Sequence, residues 1–248
     1  PDLRIANATL SQLSYVPTSA QSLAPRLPPR LRTFHQAASG WLPVASWSTQ
    51  RRSSERRCAA GLRSAPMRPQ LDDPAWLDAQ YNNRARVADA MTHLAKWAEA
   101  SALVRERSVR KALDLPYGDG PSETLDVFAA AAPNAPVLIY VHGGYWRSLD
   151  KSDFSFVAPS FVADGAMVVV ANYALCPAVS VEDIALQMVK AVAWTWHHAA
   201  AHGGNPNRIA LVGHSAGAHL AAMLLSCRWK QVDEALPAQP LAGALAIS

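Results

Sequence analysis

The strongest signal along the chain is a set of short, unbroken apolar runs separated by amphipathic stretches. Residues 136–142 (Pro-Val-Leu-Ile-Tyr-Val-His) and 167–172 (Met-Val-Val-Val-Ala-Asn) are continuous rather than alternating. That pattern suits strands covered on both faces. Residues 209–213 (Ile-Ala-Leu-Val-Gly) repeat it, and 241–247 resemble it more weakly. Between them, Val181, Ile184, Ala185, Met188, Val189, Val192 and Trp196 form one apolar stripe, predicting a helix from 181 to about 202. Ser180 with Asp183 reads as a capping box with Asp in place of Glu, and Gly203-Gly204 closes the helix. Upstream, Asp73 as N-cap and Pro74 at the first helical position open a helix over about 74–100. It breaks into two pieces around Asn82-Asn83. Short strands at 112–116 and 124–130 flank the turn Gly118-Asp119-Gly120-Pro121. Strand alternating with helix predicts an α/β fold, a mostly parallel sheet with helices on both faces.

Composition changes this picture at one end only. The chain has 248 residues, is 50% hydrophobic and carries a formal net charge of +4. That excludes a wholly disordered chain, and three cysteines cannot make a disulfide scaffold. No apolar run approaches the roughly 20 residues that span a bilayer. Residues 1–66 hold nine Arg, no Lys and only two acids, Asp2 and Glu55, together with seven Pro and ten Ser. Residues 67–248 hold 14 basic residues against 17 acids. The basic charge therefore belongs to the first quarter, which shows no helical or alternating apolar period. Three readings of 1–66 stand open: a flexible arm, a targeting segment, or a stretch outside the natural protein, with translation starting at Met67. Arg51-Arg52 and Arg56-Arg57 lack any aromatic platform or nucleic-acid-binding module around them, so no nucleic-acid partner is expected. Cys58 lies here without an evident partner. From Met67 to Ser248 the chain reads as one domain.

Two glycine-rich motifs carry chemistry. Gly213-His214-Ser215-Ala216-Gly217 is G-x-S-x-G directly after a buried strand and before a helix expected from Ala218 to about Cys227. A serine on a sharp strand-to-helix turn projects its hydroxyl above the sheet edge, and the flanking glycines leave room for the turn. The helix N-terminus offers free N–H groups to a developing oxyanion. His142-Gly143-Gly144-Tyr145-Trp146 ends a strand 73 residues earlier. Its glycines free backbone N–H groups to approach a carbonyl. Ser215 is thus the candidate nucleophile, and the N–H groups of Gly143, Gly144 and Ala216 form the candidate oxyanion hole. Tyr145, Trp146 and His214 are candidates to line the substrate pocket, where an aryl group could stack.

On these motifs, residues 67–248 resemble the α/β-hydrolase fold. His-Gly-Gly-Tyr-Trp with Gly-His-Ser-Ala-Gly-Ala-His-Leu is similar to the arylformamidase (kynurenine formamidase) and related esterase group. Many hormone-sensitive-lipase-like esterases instead show His-Gly-Gly-Gly and an acid before the serine. Asn172-Tyr173-Ala174-Leu175-Cys176-Pro177 and Asn207-Arg208-Ile209 also resemble segments of the formamidase group. The resemblance implies hydrolysis of an aryl formamide such as N-formylkynurenine, or of a small ester, through an acyl-enzyme. It implies a small-molecule substrate with no metal and no organic cofactor.

In this fold the triad runs Ser, then Asp or Glu, then His. After Ser215 come only the acids Asp233 and Glu234, and His219 one helical turn down the same helix. His197, His198 and His202 sit at the far end of the crossover helix. His142 is expected to orient a loop, His93 to lie on the surface, and His35 falls in the first segment. The triad acid and histidine are therefore expected beyond residue 248, and the fold is expected to be incomplete at its C-terminal end. The 248-residue chain alone is accordingly expected to turn over little formamide. It is also expected to dissolve poorly, with an open sheet edge after 241–247. Two other readings remain: a short-acyl carboxylesterase, and a non-catalytic α/β-hydrolase-like protein. Cys176 and Cys227 are expected to be reduced and packed. No export signal is evident, so a cytoplasmic protein with no membrane partner is expected.

Overall fold

The computed structural model describes residues 73–247. The readings made on residues 1–66, Met67, Cys58 and His35 lie outside them.

Three helices come first: α1 (Pro74–Tyr81), α2 (Asn83–Arg86) and α3 (Ala90–Arg107). Asp73 caps α1, its carboxylate accepting the Ala75 N–H at 3.0 Å. The break falls at Asn82, as the pattern predicted, but the helical region continues past 100 to Arg107. Strands β1 (Lys111–Pro116) and β2 (Thr124–Phe128) follow, then β3 (Ala135–Val141). A 3₁₀ turn (Lys151–Val157) and α4 (Ala158–Ala163) lead to β4 (Met167–Ala171). Next are α5 (Val181–His198), a second 3₁₀ turn (Ala199–His202), β5 (Gly204–His214), α6 (Ala216–Leu224), α7 (Trp229–Val232) and β6 (Leu241–Ile247). The Ser180–Asp183 capping box is present, and Gly203 closes the helix at φ +81°.

The six strands run in the order β1-β2-β4-β3-β5-β6. β4, β3, β5 and β6 are parallel, whereas β1 pairs antiparallel with β2, and β2 with β4. The mostly parallel sheet of the sequence reading therefore carries an antiparallel β1–β2 hairpin at one edge. β5 also begins at Gly204 rather than 209, because Gly204 pairs with Ala135 ahead of an irregularity. Helix α6 starts at Ala216, directly on the serine, and ends at Leu224.

The continuous apolar runs have a simple cause. Alternate residues of each strand enter two different cores. Val137, Ile139, Val141, Val169 and Leu211 pack with Ile184, Met188, Val192 and Leu220 from α5 and α6. Leu138, Tyr140, Val168, Val170 and Val212 pack on the other face with Phe154, Trp97 and Phe161. With both faces covered, every position must be apolar. The chain crosses from β3 to β4 over one face and from β4 to β5 over the other. β3 thus has β4 on one side and β5 on the other, and the crevice beyond the carboxyl ends of β3 and β5 is the topological switch point where such sheets bind ligands.

One polar cluster interrupts the apolar core. Asp126 of β2 is fully buried. Lys151 Nζ lies 2.9 Å from its Oδ1, the Asp114 backbone N–H donates to the same oxygen at 2.8 Å, and Arg105 of α3 donates to Oδ2. Lys151 also reaches the carboxylate of Asp114, whose own acidity is raised chiefly by that hydrogen bond. The cluster fastens α3 and the 3₁₀ turn to the β1–β2 hairpin.

At the other edge, β6 leaves Leu245 and Ile247 each 42% exposed. Among the described residues, no helix is long and apolar enough to cross a membrane.

Candidate active site

Ser215 stands between β5 and α6 with φ +54° and ψ −117°. For a non-glycine residue this is strained backbone. Its side chain is exposed, as a nucleophile needs. Its N–H donates to the carbonyl of Ile247 at 2.7 Å, tying the turn to the end of β6. The neighbouring glycines are sterically required. A Cβ on Gly213 would stand 2.1 Å from the Gly217 carbonyl oxygen, and one on Gly217 would stand 2.1 Å from the Val141 carbonyl oxygen. These contacts are backbone on backbone, so neither can be relieved by a rotamer change. Gly217→Ala must push α6 away from β3, and we expect it to cost about 1–3 kcal/mol of stability. Chemical denaturation checks this; an unchanged midpoint would show that the turn has slack.

The second motif comes to the same place. Gly143 lies so close to the serine turn that a Cβ there would sit 3.1 Å from Ser215 Cβ and 2.8 Å from the His214 carbonyl oxygen. Gly144 has φ +119°, and its missing Cβ would overlap the Ser148 carbonyl at 2.0 Å. Tyr145 and Trp146 continue the loop, both at φ +57°. Three successive residues in the left-handed region curl the chain back after β3. The Ser148 hydroxyl and Arg147 N–H hold the Gly144 carbonyl, each at 3.0 Å, and the Cys176 N–H holds that of Trp146 at 2.8 Å. Ala216 is the first residue of α6, where N–H groups have no earlier carbonyl within the helix to bind.

The three predicted pocket residues part ways. Tyr145 is 67% exposed. Trp146 is half-buried and meets the ring of His219 edge-on at 5.3 Å. Its indole nitrogen is buried without a hydrogen-bond partner. His214 turns to the other face, edge-on to Trp97 at 6.5 Å. A cavity of about 310 Å³ lies beside Trp97, Leu149 and Phe154 under α3, and none of the three predicted residues lines it.

Among the described residues, no histidine or carboxylate is hydrogen-bonded to Ser215. His197 pairs with Asp233 at 2.7 Å, far along α5, and His93 pairs with Asp89. His142 is fully buried, stacked on Tyr173 at 4.2 Å and on Phe154 at 5.5 Å. Its Nδ1 donates to the Gly143 carbonyl at 2.6 Å, and its Nε2 lies 3.2 Å from Asn172 Oδ1. Burial holds its basicity below that of an ordinary imidazole. The expected loop-orienting histidine is thus found against its own loop.

The sequence reading missed what surrounds it. Asn172 accepts the Lys151 N–H at 3.1 Å and donates to Asp150 at 2.8 Å. The Tyr173 hydroxyl donates to the His142 carbonyl at 2.8 Å. The only signal in sequence was the Asn172-Tyr173 dipeptide at the end of a buried strand. Among the described residues there is no cluster of side chains that could hold a metal ion.

The strand order, the crossovers and the serine turn after β5 together decide the fold. The chain has the α/β-hydrolase fold. Residues 125–239 match the BD-FAE family. A kynurenine formamidase from Danio rerio is 40% identical over 136 residues, which cover 54% of this chain and 45% of that protein. One from Salmo salar is 33% identical over 156 residues, covering 62% and 51%. A solved structure of a provisionally assigned thioesterase from Silicibacter sp. TM1040 superposes with a TM-score of 0.54 at 35% identity, covering 60% of this chain and 55% of that one. The chain spans about half the length of the curated relatives it matches.

Proposed function

We propose that Ser215 is the nucleophile of an acyl-transfer hydrolase acting on an aryl formamide of the N-formylkynurenine type. The observation that carries the reading is the exposed serine on a left-handed turn, with Gly143 packed against it and the N-terminus of α6 behind it. Similarity to kynurenine formamidases supports the formamide substrate. Ser215 Oγ adds to the formyl carbon, and the carbonyl oxygen becomes an oxyanion bound by N–H groups of Gly143, Gly144 and Ala216. The Ser215 proton passes to solvent, the departing nitrogen takes a proton from solvent as collapse expels the arylamine, and water then cleaves the serine ester to release formate and restore the hydroxyl. Of the three candidate pocket residues, Tyr145 and Trp146 stay in the loop beside the serine turn and are proposed to flank the substrate, whereas His214 packs toward Trp97.

No described histidine stands ready to take the Ser215 proton, so the 248-residue chain by itself is expected to turn over slowly. An oxyanion hole without its triad still retains roughly 10³–10⁴-fold of catalysis over water. Acylation is therefore the step to measure. The protein is incubated with N-formylkynurenine or with p-nitrophenyl acetate, and Ser215 is examined by peptide mass. Formylation of Ser215 supports the formamidase reading. Acetylation without formylation favours a short-acyl esterase, the reading suited to the thioesterase neighbour. Modification at neither would leave a non-catalytic α/β-hydrolase-like protein. Cys176 and Cys227 are free thiols, which supports a reducing compartment such as the cytoplasm.

A further inference from the structure

We propose that the Tyr173 hydroxyl, together with the His142 ring, is a positioning device that sets the direction of the Gly143 and Gly144 N–H groups. The inference rests on the serine-hydrolase reading above and adds to it how the oxyanion hole is held open.

Peptide geometry couples each loop carbonyl to the amide that follows it. In a trans peptide the C=O and the N–H of the next residue point in opposite directions in one plane. Fixing the carbonyl therefore aims the amide. The carbonyl of His142 accepts the Tyr173 Oη–H at 2.8 Å, so the Gly143 N–H in the same plane points away from Tyr173. The carbonyl of Gly143 accepts His142 Nδ1–H at 2.6 Å and lies 3.4 Å from Tyr173 Oη. The Gly144 N–H consequently points away from that pair. Both loop amides are thus turned away from the Tyr173 hydroxyl, in a loop where Gly143 packs against Ser215.

Such a lock is needed here because glycine does not fix its own peptide planes. Two successive glycines could flip either plane and aim a carbonyl oxygen at the developing negative charge. Tyr173 suits the task. It is 1% exposed, and its ring lies within 9° of parallel to that of His142. Burial pushes its phenol well above the ordinary range, so it keeps the proton that it donates. Asn172, one residue earlier, lies against the far nitrogen of the same imidazole. Tyr117 donates to the Asn172 carbonyl at 2.6 Å, which fixes the start of this segment.

Tyr173→Phe tests the proposal, since it keeps the ring and the stack and removes only the hydroxyl. The readout is phosphonylation of Ser215 in the 248-residue protein by a fluorophosphonate, resolved into a binding constant and a maximal rate. Tyr140→Phe is the control; it alters a second buried phenol that makes no hydrogen bond to either loop carbonyl. Loss of a whole oxyanion donor costs about 10²–10³-fold, so a misaimed pair should slow the maximal rate by roughly tenfold or more. The binding constant and the thermal midpoint should change little, and Tyr140→Phe should label like the unaltered protein. An unchanged maximal rate in Tyr173→Phe would overturn the lock while leaving the serine-hydrolase reading intact. So would a loss confined to the binding constant. Absence of labelling in the unaltered protein would overturn the hydrolase reading itself, and the lock with it.

Discussion

Asp126→Ala is expected to destabilise the protein by about 3–5 kcal/mol, the usual cost of removing one partner from a buried ion cluster. The carboxylate is fully buried and is the point at which three elements meet. Without it, Lys151, itself 2% exposed, keeps only the carboxylate of Asp114, and the Asp114 N–H loses its acceptor. Asp114 sits at φ +57° beside an irregularity in the β1–β2 pairing, so that bond also holds a strained residue in place. Asp126→Asn should cost less, because an amide oxygen can still accept from Lys151 or from the Asp114 N–H. Urea unfolding of the two variants gives the comparison. A loss below about 1 kcal/mol for Asp126→Ala would mean that water or Asp114 compensates fully.

Local pattern made the centre of this fold legible and left its edges obscure. The runs at 136–142 and 167–172 read as doubly covered strands because two cores claim alternate side chains. The Ser180–Asp183 cap and the glycines around Ser215 are local devices, visible within five residues. Placement within the sheet is not local. The short turn between 112–116 and 124–130 makes those two strands an antiparallel hairpin, but nothing local says that the hairpin joins the sheet beside β4 and antiparallel to it. Asp126 in Thr-Leu-Asp-Val-Phe reads as an outward polar position of an alternating strand. Its burial depends on Arg105, 21 residues before it, and on Lys151, which comes from a different element. The 3₁₀ turn at Lys151–Val157 shows no helical period, although Asp150 and Asp153 form a capping box that could have announced it.

The site divides in the same way. The close approach of Gly143 to the Ser215 turn was readable because steric demands select glycine at 143, 213 and 217. The separation of Trp146 from His214 was not, since it depends on which sheet face each ring meets. Tyr173 touches the His142 carbonyl across 31 residues of chain, through the adjacency of β3 and β4. No spacing rule encodes that contact.

Ser215→Ala carries the largest expected effect on chemistry. It removes the hydroxyl proposed to form the acyl-enzyme, so acylation should fall to the uncatalysed background. In enzymes of this kind, loss of the nucleophile costs on the order of 10⁶-fold when the triad is complete. Where only the oxyanion hole and binding contribute, the whole acceleration over water is roughly 10³–10⁴-fold, which bounds the loss. Stability should change by less than about 1 kcal/mol, because alanine meets the same backbone strain at φ +54° as serine does. A variant that loses acylation and also unfolds would place the residue in the scaffold instead.

We propose that this fold presents Ser215 as a nucleophile. The most direct test is exposure of the folded 248-residue protein to a fluorophosphonate, followed by peptide mass mapping. Slow modification is expected at a single position, Ser215, lost on unfolding in urea and absent from Ser215→Ala. No adduct on the folded protein, or an adduct that persists in Ser215→Ala, would contradict it.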